Sequence, residues 1–245
     1  MRIGFTSTSF RQIRSLEKIV KIARKSGVDC IEWGGDVHVK DVAAAKRAKK
    51  LCDDAGVAIS SYGSYYRVGR CNAVEWENVC EIAHALGAES VRVWLGEKDS
   101  EITDEKTYSL LVEDGKAICK VAKEYNLIVC PECHDNTFNN NTDAFLKIKK
   151  DLKQDNFRTY FQSRYFRMEY DLDRIERTYE HILNMHISYR DLKREQRFRK
   201  KDKNYLDTLL KKFISKDFDG IVMIEFVTRD SDRNFFKDTK KLRSY

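Results

Sequence analysis

Five polar residues sit at the ends of runs that are otherwise apolar. Glu32 ends VDCIEW, Glu132 ends LIVCPE, Gln162 ends RTYFQ, His186 ends ILNMH and Glu225 ends IVMIE. A carboxylate carried into an apolar strand pays a large desolvation cost unless it is paired, protonated or bound to a metal. Each of these residues therefore needs a partner, and a fold that gathers strand ends would supply one from the others. Two glutamates (Glu132, Glu225), a histidine (His186) and an amide oxygen (Gln162) together offer hard oxygen and borderline nitrogen donors. That mixture suits a divalent metal ion, Mn²⁺, Mg²⁺, Co²⁺ or Zn²⁺. Taken singly, His186 is equally a hydrogen-bonded core histidine, and Glu32 equally a salt-bridge partner of Arg92 across the interior. The set carries more weight than its members because matching positions recur on separate strands.

Around them lie residues suited to holding a ligand. Arg67 in GSYYRVG and Arg190 just past His186 can bind an oxyanion or phosphate, and lysine-rich surroundings raise the local potential. Trp33, Tyr66 and Trp94 can form the apolar side of a ligand pocket, although core packing is the commoner role of such aromatics. The pair Cys130 and Cys133 in CPEC carries no redox or zinc expectation. Alternation points the two thiols to opposite faces of the strand, and a single pair leaves tetrahedral zinc two ligands short.

The elements that must position these residues alternate along the whole chain. Short β-rich runs fall near Ile3–Thr6, Cys30–Trp33, Ala58–Tyr62, Ser90–Leu95, Ile128–Cys133, Arg158–Gln162, Ile182–Ile187 and Gly220–Phe226. Between them run amphipathic stretches such as SLEKIVKIARKSG, VKDVAAAKRAKKLCDDAG, AVEWENVCEIAHALG and DEKTYSLLVEDGKAICKVAKEYN. Several of these close on Gly27, Gly56, Gly87 or an Asn, as helix C-caps do. Eight βα units in 245 residues predict an α/β fold, a single (β/α)8 TIM barrel domain spanning 1–245. The final helix, NFFKDTKKLRSY, is short, so the barrel is expected to close less tightly there or to lean on a partner subunit. In such a barrel the C-terminal ends of the strands carry the active site, which is where the five polar residues lie. No GxGxxG or Walker loop follows the first strand, which disfavours a dinucleotide or P-loop nucleotide fold.

Composition narrows the setting. No window approaches the roughly 18 apolar residues of a membrane span, and MRIGFTSTSF runs into a strand pattern without a signal-peptide layout. Seven scattered cysteines suit a reducing compartment, so a cytoplasmic protein with no membrane partner is expected. The net charge of +7 is concentrated in SYRDLKREQRFRKKDKNYLDTLLKKFISK, either a solvated helix face or a clamp for a phosphorylated ligand, and charge runs usually face water.

The chain resembles the xylose isomerase-like barrels of the sugar phosphate isomerase/epimerase superfamily, which also holds ketose 3-epimerases, inosose dehydratases and endonuclease IV-type repair enzymes. GVDCIEWGGDVHV, HALGAESVRVWLG, PECHDNTFNNNTDAF, NMHISYRD and IVMIEF carry the resemblance over nearly the whole length. It implies metal ligands at Glu132, His186 and Glu225, and substrate contacts from rim histidines at His38 and His134, the alternative for these two being ordinary exposed loop residues. With Glu32, Arg67 and Arg190 these histidines make up the expected substrate-binding set. The family's commonest strand-six pattern, Asp followed three residues later by His, is replaced here by Gln162 and Tyr165. Either the metal site is retuned or it is losing catalysis.

The resemblance further implies an isomerase or epimerase of carbohydrate metabolism. Its substrate would be a small sugar, sugar phosphate or polyol, and the reaction would pass through a cis-enediolate with Glu132 and Glu225 as acid/base pair. A homo-oligomer is a family expectation. The alternatives are a non-catalytic sugar-binding barrel with a degenerate metal site and an endonuclease IV-like nuclease. The nuclease, and with it a nucleic-acid partner, is disfavoured because five histidines, with His84 and His181 in helical or pre-strand positions, cannot fill a three-metal cluster.

Overall fold

A computed structural model describes residues 1–163, 166–199 and 204–245, without the side chains of 195–199. Its strands are β1 (Arg2–Thr6), β2 (Cys30–Gly34), β3 (Ala58–Val68), β4 (Ser90–Leu95), β5 (Ile128–Pro131), β6 (Thr159–Gln162), β7 (Ile182–Ser188) and β8 (Ile221–Phe226). The helices are α1 (Leu16–Ser26), α2 (Val42–Ala55), α3 (Ala73–Leu86), α4 (Glu105–Glu124), α5 (Thr142–Leu152), α6 (Met168–Thr178), α7 (Tyr189–Arg199), α8 (Tyr205–Ile214) and α9 (Asp232–Leu242). The eight strands form one parallel sheet in the order β5-β4-β3-β2-β1-β8-β7-β6, the sequence of a (β/α)8 barrel.

Local chemistry accounts for the helix ends. Ser15, Asp41, Asn72, Asp104 and Asn141 each accept a backbone N–H of the first turn of the helix they precede. Gly27, Gly56 and Gly87 close α1, α2 and α3 at φ of 69°, 65° and 73°, a left-handed conformation that a Cβ would disfavour.

The barrel is tight where looseness was expected. β1 and β8 pair over Arg2–Phe5, and the final helix α9 runs eleven residues and sets Phe235 against Phe5 and Phe10 at 4.9 and 5.4 Å between ring centroids. The seam lies instead between β5 and β6, joined by the single bridge Val129–Phe157. Both strands are only four residues long. Beyond the bridge, side chains replace the ladder: Thr159 Oγ1 and Asn139 Nδ2 donate to the Pro131 carbonyl at 3.0 and 3.3 Å.

Strand alternation divides the core. One set of side chains packs outward under the helices, while Cys30, Ile221 and Met223 form a small separate cluster within the barrel. Two residues further along the same strands come Glu32 and Glu225. The interior is thus apolar at one level and charged at the next. Among the described residues no helix is long and apolar enough to cross a membrane.

Candidate metal centre

Because β2, β4, β6 and β7 are not all neighbours, side chains from them can touch only through the barrel interior. Glu32 on β2 does so on every side. Its Oε1 accepts from Arg92 Nε at 3.1 Å, and its Oε2 accepts from Ser61 Oγ and Tyr160 Oη, both at 2.9 Å. Arg92 also donates through Nη1 to Glu132 Oε2, which accepts Trp94 Nε1 at 2.8 Å. Gly63 makes room for this guanidinium, since a Cβ there would lie 2.8 Å from Arg92 Nη2.

Above this layer Glu132, His186 and Glu225 each present one ligand atom, all within 4.8 Å of one another and all buried. His186 Nδ1 lies 3.8 Å from Glu132 Oε1 and 4.0 Å from Glu225 Oε2, and Gln162 Nε2 donates to Glu225 Oε2 at 3.2 Å. Three buried atoms here lack any hydrogen-bond partner: His186 Nδ1, His186 Nε2 and Gln162 Oε1. Unpartnered buried atoms occur elsewhere among the described residues, but here three converge beside two carboxylates, as a site for a water, ligand or ion requires.

The charges point the same way. Three carboxylates (Glu32, Glu132, Glu225) against one guanidinium (Arg92) leave two uncompensated negative charges when His186 is neutral. Burial alone would raise Glu32, but Arg92 and His186 outweigh it and hold the carboxyl at about 2. Glu132 behaves alike, held well below the usual range against burial by Arg92 and His186. Burial, reinforced by Glu132, pushes Glu225 above the usual carboxylate range. For His186 burial is outweighed by Glu32 and Glu132, and the imidazole is pushed up to about 10. Both shifts run toward holding a proton, as expected of groups gathered where positive charge is short. Two carboxylate oxygens, an imidazole nitrogen and an amide that can present its oxygen by flipping therefore fit a divalent cation.

A cavity of about 190 Å³ opens onto this group. Gln162, His186 and Glu225 form its polar end, and Phe166, Ile187, Leu206 and Leu209 contribute an apolar wall. Its size is below the range for drug-sized ligands and suits a small molecule.

The other expected residues divide. His134 lines the cavity, stacks on Trp94 at 5.1 Å and bonds the Asp135 carbonyl through Nδ1. His38 is neither at the cavity nor exposed: it is buried, with Nδ1 on Ser7 Oγ at 3.0 Å and Nε2 on the Ile13 carbonyl at 2.7 Å. Arg67 lies off the cavity because β3 runs on to Val68 and pairs Arg67 with Trp94. There its guanidinium covers the indole at 4.3 Å and donates to the Gly96 carbonyl at 2.8 Å. Arg190 sits over Phe226 at 4.1 Å, while Arg194, one turn further along α7, lines the cavity.

Of the three aromatics only Trp94 reaches the site. Trp33 is core, and Tyr66 packs on Trp76 with its hydroxyl on Asp114. Tyr165 lies outside the described residues, as does part of the basic segment. In the remainder of that segment Lys193, Lys211, Lys212 and Lys216 pair with Asp238, Asp207 and Glu176. Cys130 and Cys133 are both free and buried, and Cys133 Sγ accepts from Arg174. Tyr160 and Ser61 were not singled out from the sequence, although Tyr160 stands two residues before Gln162 and so shares its inward face.

Residues 20–245 match the family model described as xylose isomerase-like TIM barrel. Comparison with curated proteins finds no match. Among solved structures, the probable 3-DHS dehydratase AsbF from Bacillus anthracis superposes with a TM-score of 0.80 at 17% identity, covering 99% of each chain. D-psicose 3-epimerase from Clostridium cellulolyticum H10 superposes at 0.79 with 13% identity, covering 100% of this chain and 99% of its own. The 3-keto-D-glucoside 4-epimerase YcjR from E. coli gives 0.77 and 13% over the full length of both. At such identities the likeness is one of fold.

Proposed function

The chain belongs to the xylose isomerase-like TIM barrel family, and on that premise we propose that it is a divalent-metal-dependent isomerase or epimerase acting on a small sugar, sugar phosphate or polyol. The observation that carries this reading is the Glu132–His186–Glu225 cluster, with unpartnered ring nitrogens on His186, two members of which, His186 and Glu225, line a cavity sized for a small ligand. Two of the superposed structures are sugar epimerases by description, and the third is a dehydratase.

Glu132 Oε1, His186 Nδ1, Glu225 Oε2 and Gln162 would hold the metal, which when bound would polarise a substrate carbonyl and acidify the neighbouring C–H. The two carboxylates differ as an acid/base pair requires. Glu132 is fixed through Oε2 by Arg92 and Trp94, which leaves Oε1 to accept a proton, whereas Glu225 lines the cavity, where burial and Glu132 raise its affinity for a proton, and can donate one. Removal of a proton beside a ketose carbonyl leaves a cis-enediolate, and its reprotonation at a different position or face gives isomerisation or epimerisation. His134 and Arg194 border the same space and can contact substrate hydroxyls or an anionic substituent.

The test is metal analysis of the purified protein followed by proton exchange in D₂O over a panel of ketoses, ketose phosphates and polyols. Metal-dependent deuterium incorporation beside a carbonyl is expected. Metal bound without exchange on any member would leave a sugar-binding barrel in place of an enzyme.

A further inference from the structure

We propose that Glu32 is a positioning residue that, with a cation bound, keeps the remaining proton of His186 on Nε2 and so leaves the Nδ1 lone pair on the side of Glu132 and Glu225. The proposal rests on the metal-centre reading, and it concerns a residue that the sequence placed among the substrate contacts.

The two imidazole nitrogens face different surroundings. Nε2 lies 3.6 Å from Glu32 Oε2, whereas Nδ1 faces Glu132 Oε1 at 3.8 Å and Glu225 Oε2 at 4.0 Å. Neither is within hydrogen-bond distance of any described residue. A small rotation of the ring would complete the contact on the Glu32 side.

Glu32 itself is pinned, since Arg92, Ser61 and Tyr160 hold both its oxygens, and the Tyr160 ring stands edge-on to the imidazole with centroids 4.7 Å apart. An ionised carboxylate only accepts hydrogen bonds. A lone pair on Nε2 would therefore oppose the lone pairs of an immovable acceptor, with no donor at hand to relieve it. A proton on Nε2 removes that conflict and leaves Nδ1 as the donor atom for a cation. Metal-bound histidines commonly have their second nitrogen held by a carboxylate in this way. Both oxygens of Glu32 are already taken by Arg92, Ser61 and Tyr160, so it acts through His186 and not on substrate.

The test uses the full chain carrying ¹⁵N-labelled histidine, with Zn²⁺ as the probe ion. Long-range ¹H–¹⁵N correlation of the zinc-loaded wild type should show Nε2 protonated and Nδ1 metal-bound. In Glu32→Gln the assignment should become mixed, and the zinc dissociation constant, measured against a competing chelator, should rise about 10–100-fold. Tyr160→Phe keeps the Glu32 charge while releasing one anchor, so it serves where the Gln variant fails to fold. Its dissociation constant should rise between about twofold and tenfold.

A wild-type His186 protonated on Nδ1 would overturn the proposal. So would a folded variant that is less stable but keeps both the tautomer and the zinc affinity. Should the wild type bind no zinc, the metal-free spectrum separates the two readings. A protected Nε2 proton that disappears in Glu32→Gln would uphold the role of Glu32 and sink the metal centre, and its absence from the wild type would sink the positioning.

Discussion

Replacing Gln162 by Asp puts a fourth carboxylate beside three that share one guanidinium. The amide now donates from Nε2 to Glu225 Oε2 at 3.2 Å, and its Oε1 has no partner. Asp is one methylene shorter, so the two carboxylates would stand roughly 4 Å apart, where like charges repel by about 4 kcal/mol at an effective dielectric of about 20. The half-buried position makes that figure a ceiling, and a proton shared with Glu225 relieves part of it. A loss of roughly 2–4 kcal/mol is expected in the metal-free protein, equivalent to a melting temperature lower by about 4–16 °C for a chain of this length.

With a dication bound, the sign reverses. The added charge should tighten metal binding by at least about tenfold, or about 1.4 kcal/mol. Thermal unfolding with chelator and with excess Mn²⁺, together with a metal competition titration, reads both effects. A metal-free variant that melts with the wild type and binds metal no more tightly would refute the placement of residue 162 at the metal. Proton exchange then separates the two explanations for Gln162. A tuned site should lose or keep turnover when the extra anion damps the metal's charge, whereas a decaying site should gain it.

Three further outcomes follow from the same geometry. Arg92→Met strands Glu32 and Glu132 without their cation and should cost about 3–5 kcal/mol in denaturant unfolding, as the breaking of buried ion pairs does. Metal binding should strengthen as pH rises, because His186 (pushed up to about 10) and Glu225 (raised by burial and Glu132) hold protons in the metal-free protein that must leave when a cation enters. Calorimetry in buffers of different ionisation enthalpy should report more than one proton released per metal at neutral pH. Glu225→Gln should suppress substrate-dependent proton exchange by about 10²–10⁴-fold while the protein stays folded, and near-normal exchange would remove Glu225 from the acid/base pair.

What was legible in the sequence follows from alternation. Side chains two apart on a strand share a face, so a polar residue closing an apolar run reveals both the strand and the direction of the site, and Glu132, Gln162, His186 and Glu225 come together. The Glu32–Arg92 pair read from the sequence also forms, whereas Tyr160 obeys the same rule unnoticed, because a tyrosine in an apolar run does not by itself announce a partner. His38 shows where the rule stops. It lies in the loop after β2, and its fate depends on Ser7 and Ile13, residues whose approach only the closed barrel defines. Likewise the choice of Arg194 over Arg190 as the cavity's cation depends on the direction in which α7 leaves β7, which helical periodicity alone leaves open. The seam was misplaced because a short last helix was read as weak closure. The structure finds it at two four-residue strands, one of them ending in a proline.

The account stands most directly on where a metal binds. Crystals grown with Mn²⁺ and measured near the manganese absorption edge should give one strong anomalous peak bounded by Glu132 Oε1, His186 Nδ1, Glu225 Oε2 and the Gln162 amide. No peak there, or the only ordered peak elsewhere on the chain, would contradict the metal centre and with it the proposed chemistry.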